Sequence, residues 1–420
     1  MDNVKIKKPT STENLENLSK EELINMVKSL EAHNNQLKNI IAKLSGGESS
    51  KYKNNSYDFS KCHFRHILLK FFYLGWDYNG YAVQEDTSVT IENYIFKSLT
   101  KTCLIKDRQS SNYHRCGRTD KGVSSFGQTI SIDVRSKLTK ETEENVEDEL
   151  DYCQMLNSVL PDNIQCVAWS PIENNFSARF DCNSRIYRYF FAKGWLNIEA
   201  MMEASQFLIG THDYRHFCKM DVGNGVVQFI RRIDEINIKP SDLNENENEY
   251  SMYVITIKGK AFLWHQIRCI MGILFLIGQN KEKPHIVKEL LDIKKNPRKP
   301  EYQMASEIPL NLYFCDYDTN NWVYSIDSLT KCIKKLKNAW TFTGAKGSMI
   351  KTMILSLEDN LKTISEKNDK TLEKNCLSEY LIQGVKMKNY IPLMKRQKCK
   401  TLEERIKHFT KRKRIEIVKE

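Results

Sequence analysis

The sequence lacks the short motifs that usually carry phosphate, dinucleotide or metal chemistry. It has no P-loop, no G-x-G-x-x-G turn after a strand and no H-E-x-x-H pair. Its 12 cysteines are scattered, and no two of them have the C-x-x-C spacing of a zinc site or a redox pair. These absences argue against a nucleotide-dependent, zinc-dependent or thiol-redox enzyme, and we expect neither a metal nor a cofactor.

Long uncharged apolar segments are missing as well. The longest, residues 269–277, is far too short to span a bilayer, so we expect no membrane partner. The first 15 residues are polar, which is not typical of a secretory signal peptide. Unpatterned cysteines suit a reducing compartment. We therefore expect a location in the nucleus, the cytoplasm or both.

Charge is abundant and unevenly distributed. Apolar residues make up 40% of the 420 residues, enough for the core of two domains, and the net charge is +11. Residues 385–420 contain 13 Lys and Arg against 4 Asp and Glu, so most of the excess lies there. A basic surplus predicts a polyanionic partner, nucleic acid before membrane. The run 411–414 fits a nuclear import signal, a phosphate contact or a solvated helix end.

Composition and periodicity divide the chain into six segments. They are a disordered N-terminus (1–18), a heptad helix (19–45), a linker (46–61), an N-terminal half of the core (62–162), a C-terminal half of the core (163–325), and a helical, basic C-terminal extension (326–420).

The heptad helix rests on a seven-residue repeat of apolar positions. The repeat consists of Leu23, Leu30, Leu37 and Leu44, with Val27, Asn34 and Ile41 at the alternate seam positions. One polar seam residue in such a pattern can fix the register of a coiled-coil dimer. A helix that lies against the chain's own domain fits the pattern as well.

The most unusual stretch is residues 115–127, RCGRTDKGVSSFG, in which one carboxylate, Asp120, lies among three cations and three glycines. The cations are Arg115, Arg118 and Lys121. Nearby positive charge favours the ionised carboxylate, and glycine permits sharp bends and close approach. Alternating apolar residues after the stretch predict a strand, so Asp120 would lie on a loop that leads into it. Composition alone favours an ordinary salt-bridged surface turn.

Arg268 is a cation at the beginning of an apolar helix, because residues 269–280 carry no charge. A buried guanidinium needs an anion. Asp120 is one candidate partner. Pairing with Glu307, or capping of a backbone carbonyl, is the alternative, and the sequence does not choose between them.

An aromatic strand is predicted at residues 185–191, with Tyr187 and Tyr189 on one face. Aromatic side chains beside basic residues suit an unstacked nucleobase, although ordinary core packing is the simpler explanation. Together with Asp120, these features are compatible with a cofactor-free enzyme that acts on RNA or DNA bases. They do not by themselves establish such an enzyme.

Three motifs, in order, resemble the TruA family of tRNA pseudouridine synthases. They are residues 115–122, residues 176–180 with 185–189, and residues 262–268. Residues 264–279, 305–313, 382–396 and 402–407, together with the heptad helix, resemble the eukaryotic branch that modifies positions 38 and 39 of the anticodon stem-loop. The resemblance is dense from about residue 63 to residue 327 and looser at both ends.

The resemblance implies an α+β fold of two RRM-like or ferredoxin-like halves that share a mostly antiparallel sheet around a central cleft. It also implies isomerisation of uridine to pseudouridine in tRNA without metal or cofactor. Asp120 would be the nucleophile, Tyr187 would stack on the flipped uracil and take part in proton transfer, and Arg268 would pair with Asp120. For these roles the motif match favours Tyr187 over Tyr189.

The same resemblance implies RNA contacts and leaves two questions open. Substrate-binding residues would be Arg118, Arg115, Lys121, His265 and Arg185. A homodimer through the N-terminal helix or through the core is possible. A non-catalytic RNA-binding protein that retains the synthase fold is the alternative function, and the presence of Asp120, Tyr187 and Arg268 argues against it.

Overall fold

The computed structural model describes residues 57–139, 141–142, 145–220, 222, 228–242, 248–319, 321–367, 376–384 and 389–413. The chain divides into the units Met1–Asp58 and Phe59–Glu420, and the fold described below is that of the second unit. The predicted disordered N-terminus and heptad helix lie outside the described residues, as does most of the predicted linker.

The described residues contain both strands and helices. The strands are β1 His63–Tyr73, β2 His114–Arg115, β3 Ser124–Ser136, β4 Ile164–Pro171, β5 Ser184–Ala192, β6 Gly210–Asp213, β7 Ile230–Pro240, β8 Met252–Gly259 and β9 Leu310–Asp316. The helices are α1 Ile91–Lys101, α2 Tyr152–Asn157, α3 Ile198–Gln206, α4 Gln266–Gly278, α5 Ile286–Leu291, α6 Ile326–Lys367 and α7 Leu402–Lys413. No described helix has the length and apolar composition needed to cross a membrane.

All of these strands belong to one sheet, with the order β4-β1-β3-β9-β5-β8-β7-β6 and with β2 paired to β3. Every pair is antiparallel except β3 with β9, which is parallel. The expected α+β class with a mostly antiparallel sheet is therefore confirmed. Strand β9, late in the sequence, lies between β3 and β5 and joins the two groups of strands.

Strand β4 pairs with β1 along seven residues, from Ile67 opposite Pro171 to Tyr73 opposite Ile164. We predicted that the C-terminal half begins at residue 163, which separates β4 from its pairing partner. In the sheet, β4 is the outer strand of the group β4-β1-β3, which lies on one side of β9. Because β1 is buried along most of its length, its backbone N–H and C=O groups need partners on both sides, and β3 and β4 supply them.

Helix α4 is the centre of the larger core. Its sequence, QIRCIMGILFLIG, is apolar on all sides, and nearly all of its residues are buried, as expected for a helix without a solvent face. A second core lies between α1, α2 and strands β1, β3 and β4. In α1 the predicted face of Ile91, Ile95 and Leu99 is buried. The cores fix the two strand groups on which the candidate site is built.

Candidate active site

Asp120 lies on the loop between β2 and β3, and backbone hydrogen bonds fix this loop. Tyr81 N donates to Thr119 O (3.1 Å), and Gly122 N donates to Tyr78 O (3.1 Å). Gly122 has a φ of +79°, and a Cβ there would lie 2.8 Å from Cγ of Glu307. Glycine is therefore required both by the backbone conformation and by the close approach of a neighbouring side chain.

The carboxylate of Asp120 contacts three side chains from one short segment at the beginning of α4. Its Oδ1 accepts a hydrogen bond from Trp264 Nε1 (3.1 Å). Its Oδ2 lies 3.3 Å from His265 Nε2 and 3.6 Å from Arg268 Nη1. His265 has the left-handed backbone conformation (φ 60°) at the N-cap of α4, which turns the chain so that these side chains can converge.

The side chain of Arg268 is 5% exposed. It contacts both carboxylates between which the sequence did not choose, those of Asp120 and Glu307. Its Nη2 donates to Glu307 Oε2 (2.8 Å) and to Gln383 Oε1 (2.6 Å), and its Nε donates to Ala305 O (2.9 Å). Its Nη1 is within ion-pair distance of Asp120. The alternatives are therefore not exclusive, because one planar guanidinium has enough donors for both carboxylates and a carbonyl.

His265 approaches Asp120 as a neutral ring. Burial lowers its pKa, and this effect exceeds the opposite effect of the neighbouring Asp120. Its Nε2 faces the carboxylate and lies 3.3 Å from Oδ2 of Asp120. Its Nδ1 is buried and has no hydrogen-bond partner among the described residues. His265 is thus an uncharged neighbour of Asp120, while Arg268 supplies the positive charge.

These residues line a cavity of about 810 Å³. Other residues that line the cavity are Arg118, Lys121, Tyr187, Phe262, Leu263, Glu307 and Gln383. Asp120, Tyr187 and Arg268, which are far apart in sequence, therefore lie around the same space. Its volume is in the range of pockets that enclose a small ligand.

The structure distinguishes Tyr187 from Tyr189. Tyr187 faces the cavity, with its ring edge-on to Phe262 at a centroid distance of 5.2 Å. Tyr189 is fully buried, and its ring packs against Phe275 of α4. Burial raises the pKa of Tyr187 well above its usual value, so its hydroxyl is protonated at neutral pH. Core packing thus describes Tyr189, whereas Tyr187 is available to a ligand.

Arg118 and Lys121 are exposed at the wall of the cavity. Among the described residues, Arg118 has neither a hydrogen bond nor an ion pair. Two exposed cations at the wall of a cavity are suited to bind an anion from solution.

Arg115 was predicted to surround Asp120 and to bind RNA, and the structure does not bring it to the cavity. Its Nη1 pairs with Glu92 Oε1 at 2.6 Å, and Arg108 pairs with the other oxygen of Glu92 at 3.1 Å. Glu92 is 1% exposed, and a buried carboxylate requires such partners. The cations that line the cavity with Asp120 are therefore Arg268, Arg118 and Lys121. Arg115 instead pairs with Glu92 of α1.

Arg185 was also predicted to bind RNA, and that role stays a prediction. The guanidinium is buried and donates to three backbone carbonyls, those of Lys260, Cys116 (2.9 Å) and Arg179 (3.1 Å). These bonds use three of the five N–H donors of the guanidinium. Because Cys116 lies just before the Asp120 loop, Arg185 anchors the approach to that loop.

Three buried thiols lie next to this anchor, those of Cys116, Cys182 and Cys315, with sulfur atoms within 4.8 Å of one another. The sequence could not reveal the cluster, since the three come from separate segments. Trp264 and Gln383 were also missed as site residues. Trp264 lies inside a motif and could have been found there, whereas Gln383 is 115 residues from Arg268 and carries no local signal.

Comparison with known proteins gives concordant results. A family model described as tRNA pseudouridine synthase matches residues 204–318. The tRNA pseudouridine(38/39) synthase of Mus musculus is 42% identical over 436 aligned positions, which cover 96% of this chain and 91% of the relative. The Homo sapiens protein of the same name is 43% identical, covering 94% and 89%. That of Saccharomyces cerevisiae is 41% identical, covering 73% and 72%.

Proposed function

Since the chain belongs to the tRNA pseudouridine synthase family, in the branch of the tRNA pseudouridine(38/39) synthases, we propose that it isomerises uridine to pseudouridine at positions 38 and 39 of tRNA. The observation that carries the proposal is the carboxylate of Asp120, held by Trp264, His265 and Arg268 in a cavity that Tyr187 also lines.

Isomerisation requires that the bond between uracil N1 and the ribose is broken and that a bond from C5 replaces it. The proton leaves C5 and N1 gains one, so the reaction needs no redox partner. Asp120 is the nucleophile, with the uracil ring or the ribose as its point of attack. Its contacts with His265 and Arg268 fix the orientation of the carboxylate before the substrate arrives.

Tyr187 is the stacking surface for the flipped uracil. An enzyme that acts on a base must take the base out of its stack, and an aromatic ring replaces part of the lost stacking energy. Burial raises the pKa of the Tyr187 hydroxyl, so the hydroxyl stays protonated and is available as a hydrogen-bond donor to the substrate. The edge-on contact with Phe262 holds the ring in place.

Arg118 and Lys121 are the proposed contacts to the tRNA backbone. Both are exposed, both line the cavity, and phosphate oxygens are the natural partners of such cations. His265 lies beside Asp120 and lines the same cavity, where it contacts the bound substrate. Arg115 and Arg185 already have partners within the protein, Glu92 for the first and three backbone carbonyls for the second, so the proposal places the backbone contacts on Arg118 and Lys121.

We also propose the finer architecture implied by the family. The groups β4-β1-β3 and β5-β8-β7-β6 are the sheets of two RRM-like halves, and each has its own core. The proposal includes the heptad helix at 19–45 and the basic C-terminal extension. We propose a homodimer that forms through that helix or through the core. We also propose a nuclear or cytoplasmic location. The basic run 411–414 would then serve as an import signal or as a phosphate contact.

The direct test is to map pseudouridine in tRNA incubated with the purified protein. Carbodiimide labelling is required, because an isomerisation leaves the mass of the tRNA unchanged. We expect label at positions 38 and 39 of transcripts with uridine there, and none in matched transcripts with cytidine. Binding of tRNA without any label would favour the alternative, a non-catalytic RNA-binding protein.

A further inference from the structure

The C-terminal extension contributes a side chain to the active site. Gln383 lines the cavity, and its Oε1 accepts a hydrogen bond from Arg268 Nη2 at 2.6 Å. Its Nε2 donates to Glu307 Oε2 in a short hydrogen bond. The same oxygen of Glu307 accepts from Arg268 (2.8 Å), so the three side chains form a closed ring of hydrogen bonds.

Backbone pairing places Gln383 in this position. Ser306 N donates to Leu381 O (2.6 Å), and Gln383 N donates to Met304 O (3.1 Å), on either side of an antiparallel bridge between Ala305 and Ile382. Ala305 is itself linked to Arg268, because Ala305 N donates to Arg268 O (3.0 Å). The bridge therefore ties the extension to the residues that hold the guanidinium.

The extension is fastened to the C-terminal half of the core on both sides of Gln383. Before it, Gln279 Nε2 donates to Ser378 Oγ (3.2 Å), and Lys281 pairs with Glu379 (2.9 Å). After it, Glu282 Oε1 accepts from the hydroxyl of Tyr390 (2.5 Å) and from the backbone N–H of Leu393. A side chain on a segment held at two points can fix the geometry of its neighbours.

Gln383 has a chemical consequence for Asp120 because two carboxylates share one guanidinium. Without a third partner, Glu307 could accept two parallel hydrogen bonds from Arg268, the geometry that arginine and carboxylate prefer. Gln383 bridges the same two atoms that join Arg268 to Glu307, because it accepts from Nη2 and donates to Oε2. The bridge holds Glu307 at the Nη2 end of the guanidinium, while Nη1 lies 3.6 Å from Asp120.

We propose that Gln383 is a positioning residue for the reaction, so that the C-terminal extension completes the active site in addition to any contact with RNA. The proposal rests on the proposed function. Gln383 acts through Arg268 on Asp120, and its loss allows Glu307 to draw the guanidinium away from the nucleophile. The predicted defect is therefore in the chemical step and not in tRNA affinity.

The test compares Gln383→Leu with Gln279→Leu. The control makes the same chemical change at the contact between core and extension, away from the cavity. We expect Gln383→Leu to lower the single-turnover rate at saturating tRNA by about 10-fold to 100-fold, as for a lost hydrogen bond to a charged group. Its tRNA dissociation constant should stay within about twofold. Gln279→Leu should change neither quantity.

A second variant, Gln383→Glu, gives a readout that a purely structural role would not produce. It places a carboxylate beside Glu307, and two such neighbours raise the pKa of one of them. As the pH falls, the pair takes up a proton and resembles the original amide with Glu307. The rate of Gln383→Glu relative to wild type should therefore rise by at least about threefold between pH 8 and pH 6.

Two results would overturn the proposal while leaving the proposed function intact. One is a Gln383→Leu rate within about twofold of wild type. The other is weaker tRNA binding at an unchanged rate. If Gln383→Leu does not fold, the pH series of Gln383→Glu decides. A ratio of the Gln383→Glu rate to the wild-type rate that stays constant between pH 8 and pH 6 rejects the proposal. Activity in Asp120→Asn, measured in parallel, would instead reject the assignment of the nucleophile.

Discussion

Replacing Arg268 with lysine tests the arrangement around Asp120 most severely, because the positive charge is kept and only the shape changes. The guanidinium reaches Asp120, Glu307, Gln383 and the carbonyl of Ala305 with three different nitrogens. A lysine has one nitrogen at the end of a flexible chain and cannot reach partners on separate sides. We expect Arg268→Lys to lose the Ala305 contact and at least one carboxylate.

The magnitude follows from the contacts that are lost. A hydrogen bond to a neutral carbonyl contributes about 1 kcal/mol and one to a charged group about 1.5 to 3 kcal/mol, so the loss is about 2 to 4 kcal/mol. The Asp120 contact belongs to the lower part of that range, because its side chain is 26% exposed. If the loss falls on the transition state, the rate decreases by about 30-fold to 1,000-fold.

The assay is single-turnover pseudouridine formation, with thermal unfolding measured on the same samples to separate lost stability from lost turnover. Arg298→Lys is the matched control, since Arg298 is half exposed and makes one ion pair, to Glu404 at 2.6 Å. A surface pair of this kind contributes about 0 to 1 kcal/mol. A rate for Arg268→Lys within about threefold of wild type would refute the reasoning.

Two further predictions concern a surface residue and a buried one. Arg118→Ala should weaken tRNA binding and lower the slope of log K against log salt by about 1, with unfolding unchanged, as measured by filter binding at several salt concentrations; an unchanged slope would contradict the phosphate contact. Burial lowers the pKa of His216 to about 4 from 6.5, so below pH 6.5 the unfolded chain binds a proton that the folded chain does not. Stability should then fall by on the order of 3 kcal/mol between pH 6.5 and pH 4. His216→Leu, whose lost ring nitrogens have no hydrogen-bond partner, should reduce this dependence in urea unfolding, and an equal dependence in both proteins would contradict it.

The sequence located the centre of the candidate site because chemistry was concentrated in short motifs. Asp120 and Arg268 each stood out locally, one as a carboxylate among cations and glycines, the other as a charge before an apolar helix. The sequence could only suggest that they form a pair, since the segment that joins them spans most of the sheet. In the structure, Arg268 Nη1 lies 3.6 Å from Asp120 Oδ2. Period-two spacing could not separate Tyr187 from Tyr189, because depth under α4 decides which ring is exposed to the cavity.

Other features were beyond sequence reasoning for a physical reason. Arg115 and Arg185 look like RNA contacts by residue type, yet each is committed to a partner distant in sequence, Glu92 in one case and three carbonyls in the other. Gln383 is an ordinary polar residue in a tail, and only the bridge to Ala305 gives it a role. Long-range pairing, which sets strand order as well, carries no local signal.

The central claim is that Asp120 is the nucleophile, and Asp120→Asn tests it most directly. The substitution keeps the size and the hydrogen bond from Trp264 while it removes the negative charge. Pseudouridine mapping should show no modification at positions 38 and 39 even at long incubation, and tRNA binding should persist. Modification at the wild-type rate by Asp120→Asn would contradict the account.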